Sequence, residues 1–143
     1  MSDIYALERE KDEEYVSEML EKGIFNTIRN QEGIHFLEDR HGKYVNAENG
    51  YRIVKNTHGY SINQIYTFGN SICLGSYTDD DHTIQSALQN KLNTYYNNIP
   101  PYAVINAGNG GHPNYVKMWK SIKYHAPKGG DVIVLMTWFS ELF

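Results

Sequence analysis

The sequence predicts an α/β domain built on a parallel sheet, and three observations carry that prediction. Through the second half, short apolar runs alternate with amphipathic helical stripes in the order β-α-β-α-β. The runs are too apolar to leave both faces of a sheet in water, so helices must cover at least one face. At 143 residues and 41% hydrophobic content, the chain has one core's worth of apolar side chains and too few residues for two large domains.

The N-terminal segment places Ile4, Leu7, Tyr15, Val16, Met19 and Leu20 partly on a helical period among glutamates and lysines, with Gly23 where a helix would stop. Its charges are expected to form a solvated face. From Ile34 to Val54 come strand-like runs split at His41-Gly42 and at Glu48-Asn49-Gly50. The Asn-Gly step demands positive φ at both residues and predicts a type I′ hairpin, packed beside the main sheet. Residues 1–60 are therefore read as a helix and β-hairpin extension, and residues 61–143 as the α/β core.

In that core, "QIYTFG" is the first strand. A helix follows over Thr83 to Tyr95, with Ile84, Leu88 and Leu92 as its apolar stripe. "YAVINAG" is the second strand, and Tyr115, Met118, Trp119 and Ile122 mark the second helix. Gly129-Gly130 closes that helix, and "DVIVLMTWF" is the third strand. Ligands bind at the carboxyl ends of strands in such sheets, which is where Ser71 and the cluster Gly108 to Gly111 fall.

Composition narrows the function classes. Thirteen basic against seventeen acidic residues give a net charge of −4, which generates no field for holding a polyanion, so nucleic acid is not an expected partner. Cys73 is the only cysteine, so neither an intrachain disulfide nor a cysteine-built zinc site is available. The charged N-terminus lacks a signal-peptide core, and no apolar run approaches the roughly 20 residues of a membrane span. A cytoplasmic location is expected.

The chemistry-bearing residues cluster around two strand ends. Gly69 and Gly75 flank Ser71 and let the chain turn sharply, projecting the hydroxyl with backbone N–H groups nearby. "NAGNGGHP" offers glycines whose N–H groups approach an oxygen anion closely. It lacks the third glycine of a dinucleotide-binding loop, and no cofactor is expected. Asp79, Asp80 and Asp81 precede the first core helix, and Asp81 is expected to cap it. His112 and His82 are the histidines closest in sequence to the two loops; His35, His41, His58 and His125 show no H-x-x-x-H spacing, and no metal site is expected. Cys73 reads as a buried thiol.

Taken together, "IYTFGNSICLG", "DDDHTIQSALQNKLN", "YAVINAGNGG" and "GGDVIVLM" resemble the opening half of the SGNH (GDSL-like) hydrolases. The likeness runs from Gln64 to Phe143. It implies a three-layer, flavodoxin-like sheet, here incomplete, and a serine esterase or acyltransferase acting on a small-molecule or glycan acyl ester. By the same resemblance Ser71 is the nucleophile and Gly111 the second oxyanion donor. Asn70 stands where the common motif has aspartate. The family's Gly-x-Asn-Asp block is replaced by "TWFSELF", with Ser140 near the asparagine position, and Asp-x-x-His does not follow. A serine without a base retains only residual catalysis, so the competing expectation is a non-catalytic glycan-binding or protein-interaction module. An edge that the family covers with further strands predicts a homo-oligomer or a longer chain.

Overall fold

The computed structural model of the chain describes residues 12–21, 25–109 and 115–136. Residues 12–21 form helix α1. Two short hairpins follow: β1 (Thr27–Arg29) with β2 (His35–Leu37), and β3 (Ala47–Glu48) with β4 (Tyr51–Arg52). Between β3 and β4, Asn49 and Gly50 take φ values of 55° and 86°, the pair of positive angles a type I′ turn requires. The core then runs β5 (Asn63–Gly69), α2 (Ser71–Leu74), a 3-10 turn (Asp80–His82), α3 (Ile84–Tyr95), β6 (Tyr102–Asn106), α4 (Tyr115–His125) and β7 (Val132–Met136).

The main sheet has five strands in the order β3-β4-β6-β5-β7. β5 lies between β6 and β7 and is parallel to both. The sheet is nevertheless mixed. Instead of packing beside it, the β3–β4 hairpin joins it antiparallel, through Arg52 opposite Asn106.

Helices cover opposite faces, as the alternation of side chains along β5 dictates. Tyr66 and Phe68 pack with Met118 and Ile122 of α4. Ile65 and Val104 pack with Leu88 and Leu92 of α3. Chain order and sheet order diverge at β5: the chain goes from it to β6 on one side, then crosses to β7 on the other. Such reversals leave a crevice beyond the carboxyl ends of the strands, where ligands bind in open α/β sheets.

Two helical faces differ from the sequence prediction. On α3 the buried side chains are Gln85, Ser86, Gln89 and Asn93, while Ile84 is 52% exposed and Leu88 and Leu92 are half-buried. The reason lies in the neighbouring backbone. Below the hairpin, no strand among the described residues pairs with the outer edge of β6; Gln89 Oε1 accepts from the Val104 N–H at 2.8 Å and Gln89 Nε2 donates to Asn93 Oδ1 at 2.9 Å. Buried peptide groups need partners, and amide side chains provide them where Leu cannot.

On α1, Glu14 and Glu18 face the 40–45 loop while Val16 and Leu20 are exposed, so its charges do not form a purely solvated face. The helical cover does not extend to β7: Val132, Ile133, Val134 and Leu135 are all exposed, and neither α3 nor α4 packs over that strand among the described residues.

Candidate functional site

At the carboxyl end of the sheet, the α3 side turns from apolar to polar. Arg52, Asn106 and Thr67 lie opposite one another on β4, β6 and β5, and each is at most 2% exposed. With Gln85 of α3 they hold the carbonyl groups at the far end of α2. Gln85 Nε2 donates to Cys73 O at 2.8 Å and to Thr67 Oγ1 at 2.9 Å. Asn106 Nδ2 donates to Leu74 O at 3.2 Å. Arg52 donates to Leu74 O at 3.0 Å, to Gly75 O, and to Thr78 O at 2.6 Å.

A four-residue helix has too few internal bonds to stand alone. These side chains satisfy its terminal carbonyls and keep it in place. Its other end is fastened by Asn70, whose Oδ1 accepts from the Ile72 N–H at 3.1 Å. Ser71 is thereby set at the first position of a pinned helix, directly beyond β5.

Arg52 is charge-paired as well as hydrogen-bonded. Its Nε lies 3.0 Å from Asp80 Oδ1, with both side chains fully buried. Asn46 Nδ2 donates to Asp80 Oδ2 at 2.8 Å. Burial holds the Asp80 carboxyl above the usual carboxylate range, opposed by the Asn46 hydrogen bond and the Arg52 charge. The aspartate run is thus divided by role, and Asp81 does not cap α3. Asp79 Oδ1 caps the 3-10 turn by accepting from the His82 N–H at 3.0 Å, Asp80 is the buried ion, and Thr83 caps α3.

Two glycines bring the strand-end loops against α2. A Cβ on Gly69 would overlap Met136 O and lie 2.6 Å from Cys73 Cβ; one on Gly108 would lie 2.5 Å from Leu74 N. The Asn109 N–H donates to Gly69 O at 2.9 Å and the Gly108 N–H to Asn106 Oδ1 at 3.0 Å. The start of the 108–111 loop therefore lies beside the Ser71 helix. These bonds occupy the Gly108 and Asn109 amides, which removes both as oxyanion donors. Gly111 and His112, like Gly110 and Ser140, lie outside the described residues.

Ser71 is half-buried, and its Oγ makes no hydrogen bond among the described residues. Its carbonyl is engaged, accepting from the Gly75 and Ser76 N–H groups at 3.0 Å each. Neither His82 nor His125 bonds to it. His82 Nδ1 pairs with Asp79, and His125 Nδ1 shares a hydrogen bond with the Tyr51 hydroxyl inside an aromatic cluster with Phe36, Tyr66, Phe68 and Tyr124.

Cys73 is 1% exposed, and burial pushes its thiol up to about 11, so it is not a thiolate near neutral pH. Among the described residues no group of three or more His, Cys, Asp or Glu is placed to hold a metal ion, and no helix is long and apolar enough to cross a membrane.

The sequence singles out Ser71 and the glycine loop but does not mark the buried Arg52, Thr67, Gln85 and Asn106 that pack beside them. The available signal was the amide spacing Gln85, Gln89, Asn93 on one helical face. Neither the protein-family models nor the curated proteins compared with the chain matched it.

Proposed function

We propose that the chain is an SGNH-like serine hydrolase or acyltransferase on a flavodoxin-like sheet, acting on an acyl ester of a small molecule or glycan. One observation supports it above the others: a serine whose Oγ makes no hydrogen bond among the described residues opens a pinned helix at the carboxyl end of β5, the strand flanked by both parallel neighbours. Ser71 Oγ attacks the ester carbonyl as its proton passes to a base from solvent, and the negative oxygen that develops is met by the Ser71 and Gly111 N–H groups. The alkoxy group takes up a proton and leaves as the alcohol, and water or an acceptor hydroxyl resolves the acyl-serine, its proton restoring the Ser71 hydroxyl.

A second reading, a glycan-binding or protein-interaction module with the pocket but no base, draws support from a separate observation. Among the described residues, neither His82 nor His125 is hydrogen-bonded to Ser71.

The two readings separate on a fluorophosphonate probe and a p-nitrophenyl acyl ester series. Labelling and hydrolysis that disappear in Ser71→Ala establish the enzyme. No labelling of a folded wild-type chain rejects it in favour of the binding module.

A further inference from the structure

Away from the Ser71 helix, the loop from Arg40 to Val45 turns three successive backbone N–H groups onto one carboxylate, that of Glu18 in α1. Lys43 N–H donates to Oε2 at 2.7 Å, Tyr44 N–H to Oε2 at 3.1 Å, and Val45 N–H to Oε1 at 3.1 Å. Arg40 Nη2 stands 3.6 Å from Oε1, and the two side chains are only 10% and 9% exposed. Gly42 leaves the space: a Cβ there would overlap the Glu18 carboxylate. Consecutive amides converging on a point form an anion-binding concavity, and charge-assisted bonds make it strong.

The concavity is held from behind, independently of α1. Arg40 and Ala47 exchange backbone hydrogen bonds at 2.8 and 2.9 Å, Gly42 N–H donates to Asn46 Oδ1 at 2.9 Å, and Asp80 N–H donates to Tyr44 O at 2.9 Å. The hold of α1 on the loop is, by contrast, largely polar. Glu14 meets the Lys43 ammonium and the Tyr44 hydroxyl, Arg40 Nη2 reaches Met19 Sδ, and Tyr15 sets its ring edge against Tyr44. Val16 and Leu20 stay 51% and 82% exposed. A receptor that is preformed and a plug that is bound through its carboxylates permit exchange of one oxyanion for another.

We propose that Arg40 to Val45 is an oxyanion-binding site for the carboxylate or phosphate group of a ligand, kept filled in cis by Glu18. The tethered carboxylate acts at an effective concentration of order millimolar, so a free anion competes with it in the native chain and enters freely once it is removed.

The test is an amide NMR titration of Glu18→Ala with sodium acetate and with inorganic phosphate, against sodium chloride at matched ionic strength. Saturable shifts of the Lys43, Tyr44 and Val45 amides are expected, with wild type needing at least about tenfold more anion. A response to acetate alone identifies a carboxylate ligand, to phosphate alone a phosphate-bearing one, and to both a general oxyanion site. No saturable shift with either anion, or an equal response to chloride, overturns the site. If Glu18→Ala loses the loop's native amide signals, Glu18→Gln keeps a neutral acceptor in the concavity. The same amides must then respond to acetate or phosphate at lower concentration than in wild type, and their failure to do so overturns the proposal equally.

Discussion

Arg52 Nε and Asp80 Oδ1 lie 3.0 Å apart with no solvent exposure on either side chain, and the same guanidinium holds three carbonyls of the segment that follows Ser71. The pair joins the β3–β4 hairpin to the far side of the α2 loop, so hairpin and candidate site depend on each other.

Removing one member of that pair leaves the other buried and uncompensated. Arg52→Ala is expected to lose about 3–5 kcal/mol, a fall in Tm of roughly 10 °C or more. The double variant Arg52→Met with Asp80→Leu leaves no orphan charge and is expected to lose less than Arg52→Ala. Urea denaturation of the single and double variants checks the ordering, and a double variant no more stable than Arg52→Ala would contradict it.

Gly69→Ala and Gly108→Ala each place a methyl group against backbone with nowhere to move. Each is expected to cost at least about 1–3 kcal/mol. Gly129→Ala, whose methyl meets nothing within 4 Å, is the control and stays within about 0.5 kcal/mol of wild type. Denaturation midpoints of the three variants give the comparison.

His125 supplies a pH dependence. Burial lowers its pKa below the ordinary 6.5, and Tyr51, whose phenol burial pushes up to about 12, stays protonated and shares a hydrogen bond with Nδ1. Protonation of His125 therefore favours the unfolded chain. Its stabilising contribution is complete above about pH 6.5 and is lost as pH falls through the depressed folded value. Melting curves between about pH 7.5 and about pH 5.5 should show a loss in wild type that His125→Gln reduces. An unchanged slope would remove His125 as its source.

Cys73 should resist thiol reagents in the native state. With 1% exposure and a thiol pushed up to about 11, it is expected to react with Ellman's reagent only after unfolding. Full labelling in native buffer at rates close to those in denaturant would mean that α2 opens readily, and with it the seat of Ser71.

Local patterns determined much of the core by themselves. Apolar runs at strand length, stripes at helical spacing and the Asn49-Gly50 step are properties of adjacent residues, so the β-α-β-α-β order and the hairpin turn were legible without coordinates. The nearness of Gly108 to the Ser71 helix also followed, because two parallel neighbours end on the same side of a sheet.

Tertiary structure alone decided what depends on distant partners. Arg52 reads as an ordinary hairpin cation until Asp80 and the α2 carbonyls surround it. Gln89 breaks an apolar stripe until its hydrogen bond from the Val104 N–H explains its burial, and Glu18 reads as solvated until the amides of residues 43–45 close on it. A polar side chain's place is set by whether a partner can replace water, and sequence periodicity carries no record of that partner.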